Sequence, residues 1–293
     1  MKKLLITGSS GMLGSSLVYE IGEKYNIYGI YRNHRNPDLK NQFKADITDR
    51  KKLEDIIGAV RPDFLIHTAA LTNVDTCEKN FELARATNSL ATRDLASILK
   101  SLGTRFIYIS TESVFDGKKG NYDETDAPCP INNYAKTKHE GEIFVEQLCD
   151  NFVIIRTTIF GWNRVKEPGS FAEWVYKSLR DKQTIKMFTD VIFSPITVNT
   201  LSLLIDRLLQ ADFTGTLNIG SRDSVSKCKF GIFLAELFGF DKSSITPISV
   251  DGFKFAAKRP KNVSLNVSRA EGILGPLPTV EDELGVFHEK RRL

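Results

Sequence analysis

Short apolar runs alternate with amphipathic stretches through the first half of the chain. The run Leu4-Leu5-Ile6-Thr7 predicts a strand that stops at Gly8, after which Met12, Leu13, Leu17, Val18 and Ile21 fall near helical spacing. Further strands are predicted at 26–31, 43–45, 64–68, 105–110 and 152–156. Between them lie helices at 50–59, 80–102 and 131–149, the first with an apolar face of Leu53, Ile56, Ile57 and Val60 and a cap at Thr48 or Asp49. Strictly alternating strands and helices predict an α/β fold with a doubly wound parallel sheet. The regularity degrades after Gly161, where helices at 170–181, 198–209 and 229–239 are joined by short strand-like pieces such as 215–219. The expected division is a dinucleotide-binding domain over 1–160 and a smaller, intimately packed substrate-binding lobe over 161–293, some of whose elements can return to the main domain. The end, 289–293, reads as frayed and solvated.

The turn after the first strand carries the first chemistry. Gly8-x-x-Gly11-x-x-Gly14 between a strand and a helix is the entry of a dinucleotide-binding (Rossmann) fold. Gly8 permits the tight turn, Gly11 lets a pyrophosphate approach backbone N–H groups, and Gly14 lets helix pack on strand. The helix N-terminus then faces the phosphates. Past the second strand an NAD enzyme carries an acid for the ribose hydroxyls, yet no carboxylate lies between Glu23 and Asp38. Arg32, His34 and Arg35 stand there instead, and a guanidinium suits a 2′-phosphate, so the expected cofactor is NADP(H). Asp46 can accept from the adenine amino group, with helix capping as its competing role. Ala69-Ala70 leave room for a ribose against the backbone. His67, in a buried strand, reads as a satisfied core histidine.

Composition narrows the class without changing it. The chain has 293 residues, a net charge of +4 and interspersed acids and bases, which gives no case for a nucleic-acid partner. Cys77, Cys129, Cys149 and Cys228 are scattered and read as reduced thiols, with no metal site implied. No signal-peptide pattern and no apolar run of membrane-spanning length is present, so a soluble cytoplasmic protein is expected.

Tyr134 and Lys138 are four residues apart and therefore share a helix face. A free phenol has a pKa of about 10, and a nearby cation favours its ionised form. Thr111, at the end of the fifth strand, can bring a hydroxyl beside the phenol. The set suits hydride transfer to a carbonyl, with Tyr134 as proton donor and Thr111 orienting the oxygen.

Together, Gly8-x-x-Gly11-x-x-Gly14, Ala69-Ala70, Asn88, Ser110-Thr111 and Tyr134-x-x-x-Lys138 resemble an extended short-chain dehydrogenase/reductase. The stretches 71–75, 110–117 and 259–265 resemble, more closely, the dTDP-4-dehydrorhamnose reductase family, over nearly the whole chain. That resemblance implies an NADPH-dependent reductase of a nucleotide-linked 4-keto-6-deoxyhexose, acting in dTDP-L-rhamnose formation. It implies catalytic roles for Thr111, Tyr134 and Lys138. Cofactor contacts are implied for Gly8, Ser10, Gly11, Met12, Leu13, Gly14, Arg32, Asp46, Ile47, Ala69, Ala70, Leu71, Tyr134 and Lys138, with Asn88 steadying the active-site helix. Thr111, Glu112, Trp162 and Arg259 are the expected substrate residues, Arg259 as a clasp for the diphosphate. Two departures concern the sugar. Glu112-Ser113 stand where the family usually carries an acid and a tyrosine, and Trp162 is displaced from the usual tryptophan position near Ile159. Ser16 falls where some members carry an acid for a metal at a dimer contact, so no metal is expected. The oligomeric state stays open, with a homodimer as the candidate. A second reading is a regulatory NADP-binding subunit, because the beta subunit of methionine adenosyltransferase resembles the same family.

Overall fold

The computed structural model describes residues 1–165 and 169–291. In chain order, β1 (Lys3–Thr7), α1 (Met12–Ile21), β2 (Asn26–Tyr31), β3 (Asn41–Lys44), α2 (Arg50–Val60) and β4 (Phe64–His67) open the fold. Three short helices follow, α3 (Val74–Lys79), α4 (Phe81–Arg85) and α5 (Ala91–Leu99), then β5 (Arg105–Ile109), α6 (Asn133–Leu148) and β6 (Phe152–Arg156). The second half contains β7 (Thr158–Phe160), α7 (Phe171–Arg180), β8 (Ile185–Phe188), β9 (Ile192–Phe193), β10 (Pro195–Thr197) and α8 (Val198–Gln210). It ends with β11 (Gly215–Asn218), β12 (Val225–Ser226), α9 (Lys227–Phe238), β13 (Ile245–Ile248), α10 (Ser268–Leu274) and α11 (Val280–Glu289).

The main sheet has the order β11-β6-β5-β4-β1-β2-β3, and every pairing in it is parallel. Both faces are buried, which explains why its strands are continuously apolar. The pleat sorts their side chains: Leu4, Ile6, Ile66 and Ile107 enter one core with α1 and α8, while Leu5, Leu65, Phe106 and Ile154 enter the other with α2 and α5. Strand order reverses between β1 and β4, the point where open α/β sheets bind ligands beyond the strands' C-terminal ends.

The helix expected over 80–102 is three pieces. Asn80 caps α4 through Leu83 N–H at 3.1 Å, residues 86–90 form a π-type turn, and α5 ends at Leu99. The residues expected as a lobe strand at 215–219 instead complete the main sheet as β11, in register with Val153–Arg156 of β6. Helix α8 also returns and packs on α1, where Ser16 Oγ donates to Val198 O at 3.0 Å and Ser202 Oγ donates to Ser16 Oγ at 3.1 Å. A cut at 160/161 therefore runs through one shared sheet and core. The remaining small sheets, β7 with β10, β9 with β12 and β8 with β13, build the lobe beside the C-terminal ends of the strands. Residues 289–291 are less loose than expected: Phe287 is buried and Lys290 Nζ lies 3.0 Å from Glu20 Oε1. Residues 292–293 of that expected frayed end lie outside the described ones. No helix among the described residues is long and apolar enough to cross a membrane.

Candidate active site

A cleft of about 690 Å³ lies over the switch point between β1 and β4. Its floor at one end is the glycine turn. Gly8 has φ +69°, and its N–H and that of Ser9 both donate to Ile30 O, at 2.9 and 3.1 Å, tying the turn to β2. Buried Asn36 adds a bond from Nδ2 to Ser9 O at 2.9 Å. A Cβ on Gly14 would overlap the Gly8 carbonyl oxygen, so helix and turn meet in backbone contact. At Gly11 no side chain caps α1, leaving the first-turn N–H groups directed at the cleft. Arg32, Asn33 and His34 line the next part, with Asp46 and Ile47 opposite. Asp46 accepts from Thr48 N and Thr48 Oγ1 at 3.0 and 2.8 Å, both through Oδ1. The backbone bond first, with the hydroxyl bond and the Arg32 charge adding to it, holds its carboxyl below the usual range against the opposing effect of burial. Its second oxygen remains for a ligand.

At the other end β5 delivers Ser110 and Thr111, and the first two turns of α6 deliver Tyr134 and Lys138 to the same cleft. Asn132 starts that helix by accepting from Ala135 N–H at 2.9 Å. Burial first, and the Glu112 charge second, push the Tyr134 phenol well above its ordinary value, with the hydrogen bond to Thr111 opposing them. Lys138 is almost fully buried, its ammonium 4.1 Å from the centroid of the Tyr108 ring. Burial lowers it to about 7, and the Glu142 charge works against that fall. The expected depression of the phenol pKa by Lys138 is thus absent from this arrangement. Burial dominates, which keeps Tyr134 protonated, the form a proton donor needs.

Behind these residues is a network that sequence reasoning missed. Glu142 accepts from Ser110 Oγ at 2.5 Å and from Arg156 Nε and Nη2 at 3.0 and 2.9 Å, and it faces His139 Nδ1 at 3.0 Å. Burial works to raise this carboxyl, but the bonds from His139 and Arg156 outweigh it and hold it below its usual range. The network clamps the ends of β5 and β6 to α6. The i,i+4 spacing of Lys138 and Glu142, and an arginine closing an apolar strand, were the available signals.

Asn88 does not line the cleft; it positions what does. Its Oδ1 accepts from Leu71 N–H at 2.8 Å, while Nδ2 lies 3.1 Å from Leu71 O and 3.2 Å from Thr137 Oγ1. One amide thus joins the Ala69-Ala70-Leu71 loop, which lines the cleft, to α6. His67 is a core residue, between Thr7 Oγ1 at 2.6 Å and Thr92 Oγ1 at 3.2 Å, and burial lowers it to about 3.

Of the residues expected at the substrate, Thr111 and Glu112 line the cleft. Trp162 is directed elsewhere: its Nε1 donates to Phe287 O at 2.7 Å, and its ring stacks on Phe287 with centroids 4.2 Å apart. An indole so occupied packs the lobe. Arg259 also lies off the cleft lining, with Nη2 2.8 Å from Asp75 Oδ2 and its guanidinium 4.6 Å from the Phe255 centroid. The segment after β6 contributes Thr157, Thr158 and Ile159 to the wall, and the lobe contributes Ser170 and Phe171.

Comparison with known proteins follows this geometry. The family model described as "RmlD substrate binding domain" matches residues 1–291. The "Probable low-salt glycan biosynthesis reductase Agl14" of Haloferax volcanii is 32% identical over 287 residues, covering 96% of each chain. A crystal structure of dTDP-4-dehydrorhamnose reductase from Bacillus anthracis in complex with NADP superimposes with a TM-score of 0.89 at 30% identity, covering 99% of both chains. The methionine adenosyltransferase 2 subunit beta of Danio rerio is 26% identical, covering 99% of this chain and 93% of its own.

Proposed function

The chain belongs to the family of the RmlD substrate binding domain, and from that premise we propose that it is an NADPH-dependent reductase of a nucleotide-linked 4-keto-6-deoxyhexose. The observation that carries the reading is the convergence of Thr111, Tyr134 and Lys138 at one end of a cleft whose other end is the glycine turn. The residues present fit NADP(H). A Cβ at Gly8 would lie 2.9 Å from Ala69 N, and one at Gly14 would overlap the Gly8 carbonyl, so turn, strand and helix pack this closely only while these positions are glycine. The helix N-terminus is uncapped for a pyrophosphate, and Arg32 stands where a 2′-phosphate is read. The cofactor, when bound, supplies the hydride.

This chain's residues do the rest. Thr111 and Tyr134 converge on the carbonyl oxygen, and the phenol, kept protonated by burial, gives its proton as negative charge develops there. Lys138, with its pKa of about 7, carries positive charge near neutral pH and can exchange a proton there. Ser10, Met12, Leu13, Ala69, Ala70 and Leu71 shape the dinucleotide half, and the Asn88 amide fixes the loop that contains three of them. The favoured member of the class is dTDP-4-dehydrorhamnose reductase, supported by the B. anthracis structure. Purified protein mixed with NADPH and a panel of nucleotide 4-keto-sugars tests this. Oxidation of NADPH with at least one sugar is expected, and none across the panel, with NADPH still bound, would overturn it.

A regulatory, non-catalytic NADP-binding subunit is the second reading, favoured by the similarity to methionine adenosyltransferase 2 subunit beta. It requires a stable complex with a methionine adenosyltransferase catalytic chain, which size-exclusion chromatography of the mixture detects.

A further inference from the structure

Thr111 has one proton to give, and the Glu112 carboxyl and the Tyr134 phenol oxygen both draw on it. Its Oγ1 lies 3.2 Å from Glu112 Oε2, and the same oxygen accepts from Ser113 N–H at 3.2 Å. An ionised carboxylate only accepts, so with Glu112 ionised Thr111 is the donor in the first of these bonds. A substrate carbonyl in the cleft needs that same hydrogen. Glu112 is buried at 8% exposure and belongs to the cleft wall beside Phe171. Lys227, at the start of α9, has its ammonium 3.6 Å from the Phe193 centroid and 4.2 Å from that of Phe171.

We propose that Glu112 is a positioning residue of the reductase site, acting through its contact with Thr111. Ionised, Glu112 holds the Thr111 hydrogen away from the substrate carbonyl; protonated, it releases that hydrogen. The proposal rests on the reductase reading. Glu112 takes its proton from solvent, its O–H then donates to Thr111 Oγ1, and the Thr111 O–H turns to the carbonyl. No proton is consumed in this exchange, and Tyr134 still gives the one that enters the product.

The groups facing Glu112 are the Lys227 ammonium from α9, the Tyr134 phenol from α6, and the hydroxyls of Thr111 and Thr158. Lys138 lines the same cleft one turn beyond Tyr134. Burial raises the Glu112 carboxyl above the usual range, while the Thr158 hydroxyl and the Lys227 charge pull it back. Burial lowers Lys227 to about 8, and the Glu112 charge opposes that fall. Each group thus supports the charged form of the other.

The sign follows. kcat/KM is high while Glu112 is protonated and falls as pH rises through its pKa. Glu112→Gln offers Thr111 a permanent N–H donor, so that limb of the profile disappears and the limb due to Lys138 remains. Lys227→Met keeps a chain between the two phenylalanine rings but removes the charge, so the Glu112 limb moves up by about one pH unit. In the Glu112→Gln background, Lys227→Met shifts nothing. A second readout needs no turnover: in protein labelled with ¹³C at the glutamate carboxyl, one resonance vanishes in Glu112→Gln and titrates at higher pH in Lys227→Met. NADPH affinity, measured for each variant, should hold and so reports an intact fold. A wild-type profile in the Glu112→Gln enzyme, or a Glu112 resonance unmoved by Lys227→Met, overturns the proposal. Wild-type protein that reduces no sugar overturns the reductase reading itself, and the two failures are thereby distinguished.

Discussion

Tyr134 and Lys138 sit one helical turn apart, and burial drives both toward their neutral forms, the phenol up and the ammonium down to about 7. In the proposed reaction Tyr134 is thus a protonated donor beside a group able to exchange protons near neutrality. Tyr134→Phe keeps the ring and removes the transferable proton, so kcat should fall by about 10²–10⁴-fold. NADPH affinity and melting temperature should stay near wild type, and stopped-flow turnover with fluorescence titration checks both. Arg32 is exposed at the cleft, where its charge already acts on Asp46. Charge-assisted hydrogen bonds are worth about 1.5–3 kcal/mol, or about tenfold to a hundredfold in affinity. Arg32→Ala should weaken NADPH by that factor and leave NADH nearly unchanged; equal losses in calorimetric titrations would remove Arg32 from the 2′-phosphate. At this scale the sequence was legible where chemistry is local. Tyr134 and Lys138 share one helix, and Thr111 ends one strand. Lys227 was not legible, because 115 residues separate it from Glu112 and only the tertiary fold brings their charges together.

Elements are positioned here by close backbone approach more than by side-chain bulk. At Gly141 of α6, an added Cβ would overlap the Tyr108 hydroxyl and lie 3.0 Å from Asn88 O. That helix therefore rests directly on β5 and on the π-type turn at 86–90. Tyr108 Oη reinforces the contact by donating to Lys138 O at 3.1 Å, with Asn88 O at 3.4 Å. The same turn directs the Asn88 amide to Leu71 and Thr137, joining the 69–71 loop to α6. Gly141→Ala should move α6 outward. Overpacking of this kind costs about 1–3 kcal/mol, so thermal unfolding should show a lowered midpoint. kcat should fall as well, because Tyr134 and Lys138 move with the helix. A melting loss without a turnover loss would show that the contact serves stability alone. Helical periodicity gave no warning of this arrangement: the apolar spacing across 80–102 runs through the π-type turn, so one helix was expected where there are three pieces. The turn Gly8-x-x-Gly11-x-x-Gly14 was legible because its glycines answer to backbone geometry alone.

Across the whole molecule the two halves are interleaved, and this sets how the substrate side is held. β11 pairs with β6 and α8 packs on α1, so the lobe is anchored through the main sheet and needs no hinge linker. A short strand such as Gly215–Asn218 has too little pattern to reveal which sheet it joins, which is why it read as part of the lobe. The lobe also returns to the main domain through residues 257–259. Ala257 N–H donates to Asp75 Oδ1 at 3.0 Å, Arg259 Nη2 to Asp75 Oδ2 at 2.8 Å, and Asn132 Nδ2 to Lys258 O at 3.0 Å. Asn132 caps α6, two residues before Tyr134, so this contact ties the segment that carries Arg259 to the start of that helix. The Arg259 guanidinium is half-buried and braced over Phe255, a pre-set orientation for paired phosphate oxygens. Asp75, its present partner, lowers the net charge it offers. If Arg259 clasps the nucleotide diphosphate, Arg259→Ala should raise KM for the nucleotide sugar about tenfold or more, from the loss of a charged hydrogen bond. The affinity for NADPH should hold, since the glycine turn and Arg32 lie elsewhere in the cleft. Asp75→Asn frees the guanidinium while keeping a hydrogen-bond acceptor, so it should leave KM unchanged or lower it. Equal KM increases in both variants, accompanied by a lowered melting temperature, would instead identify the pair as a strut between the two halves and remove Arg259 from substrate recognition.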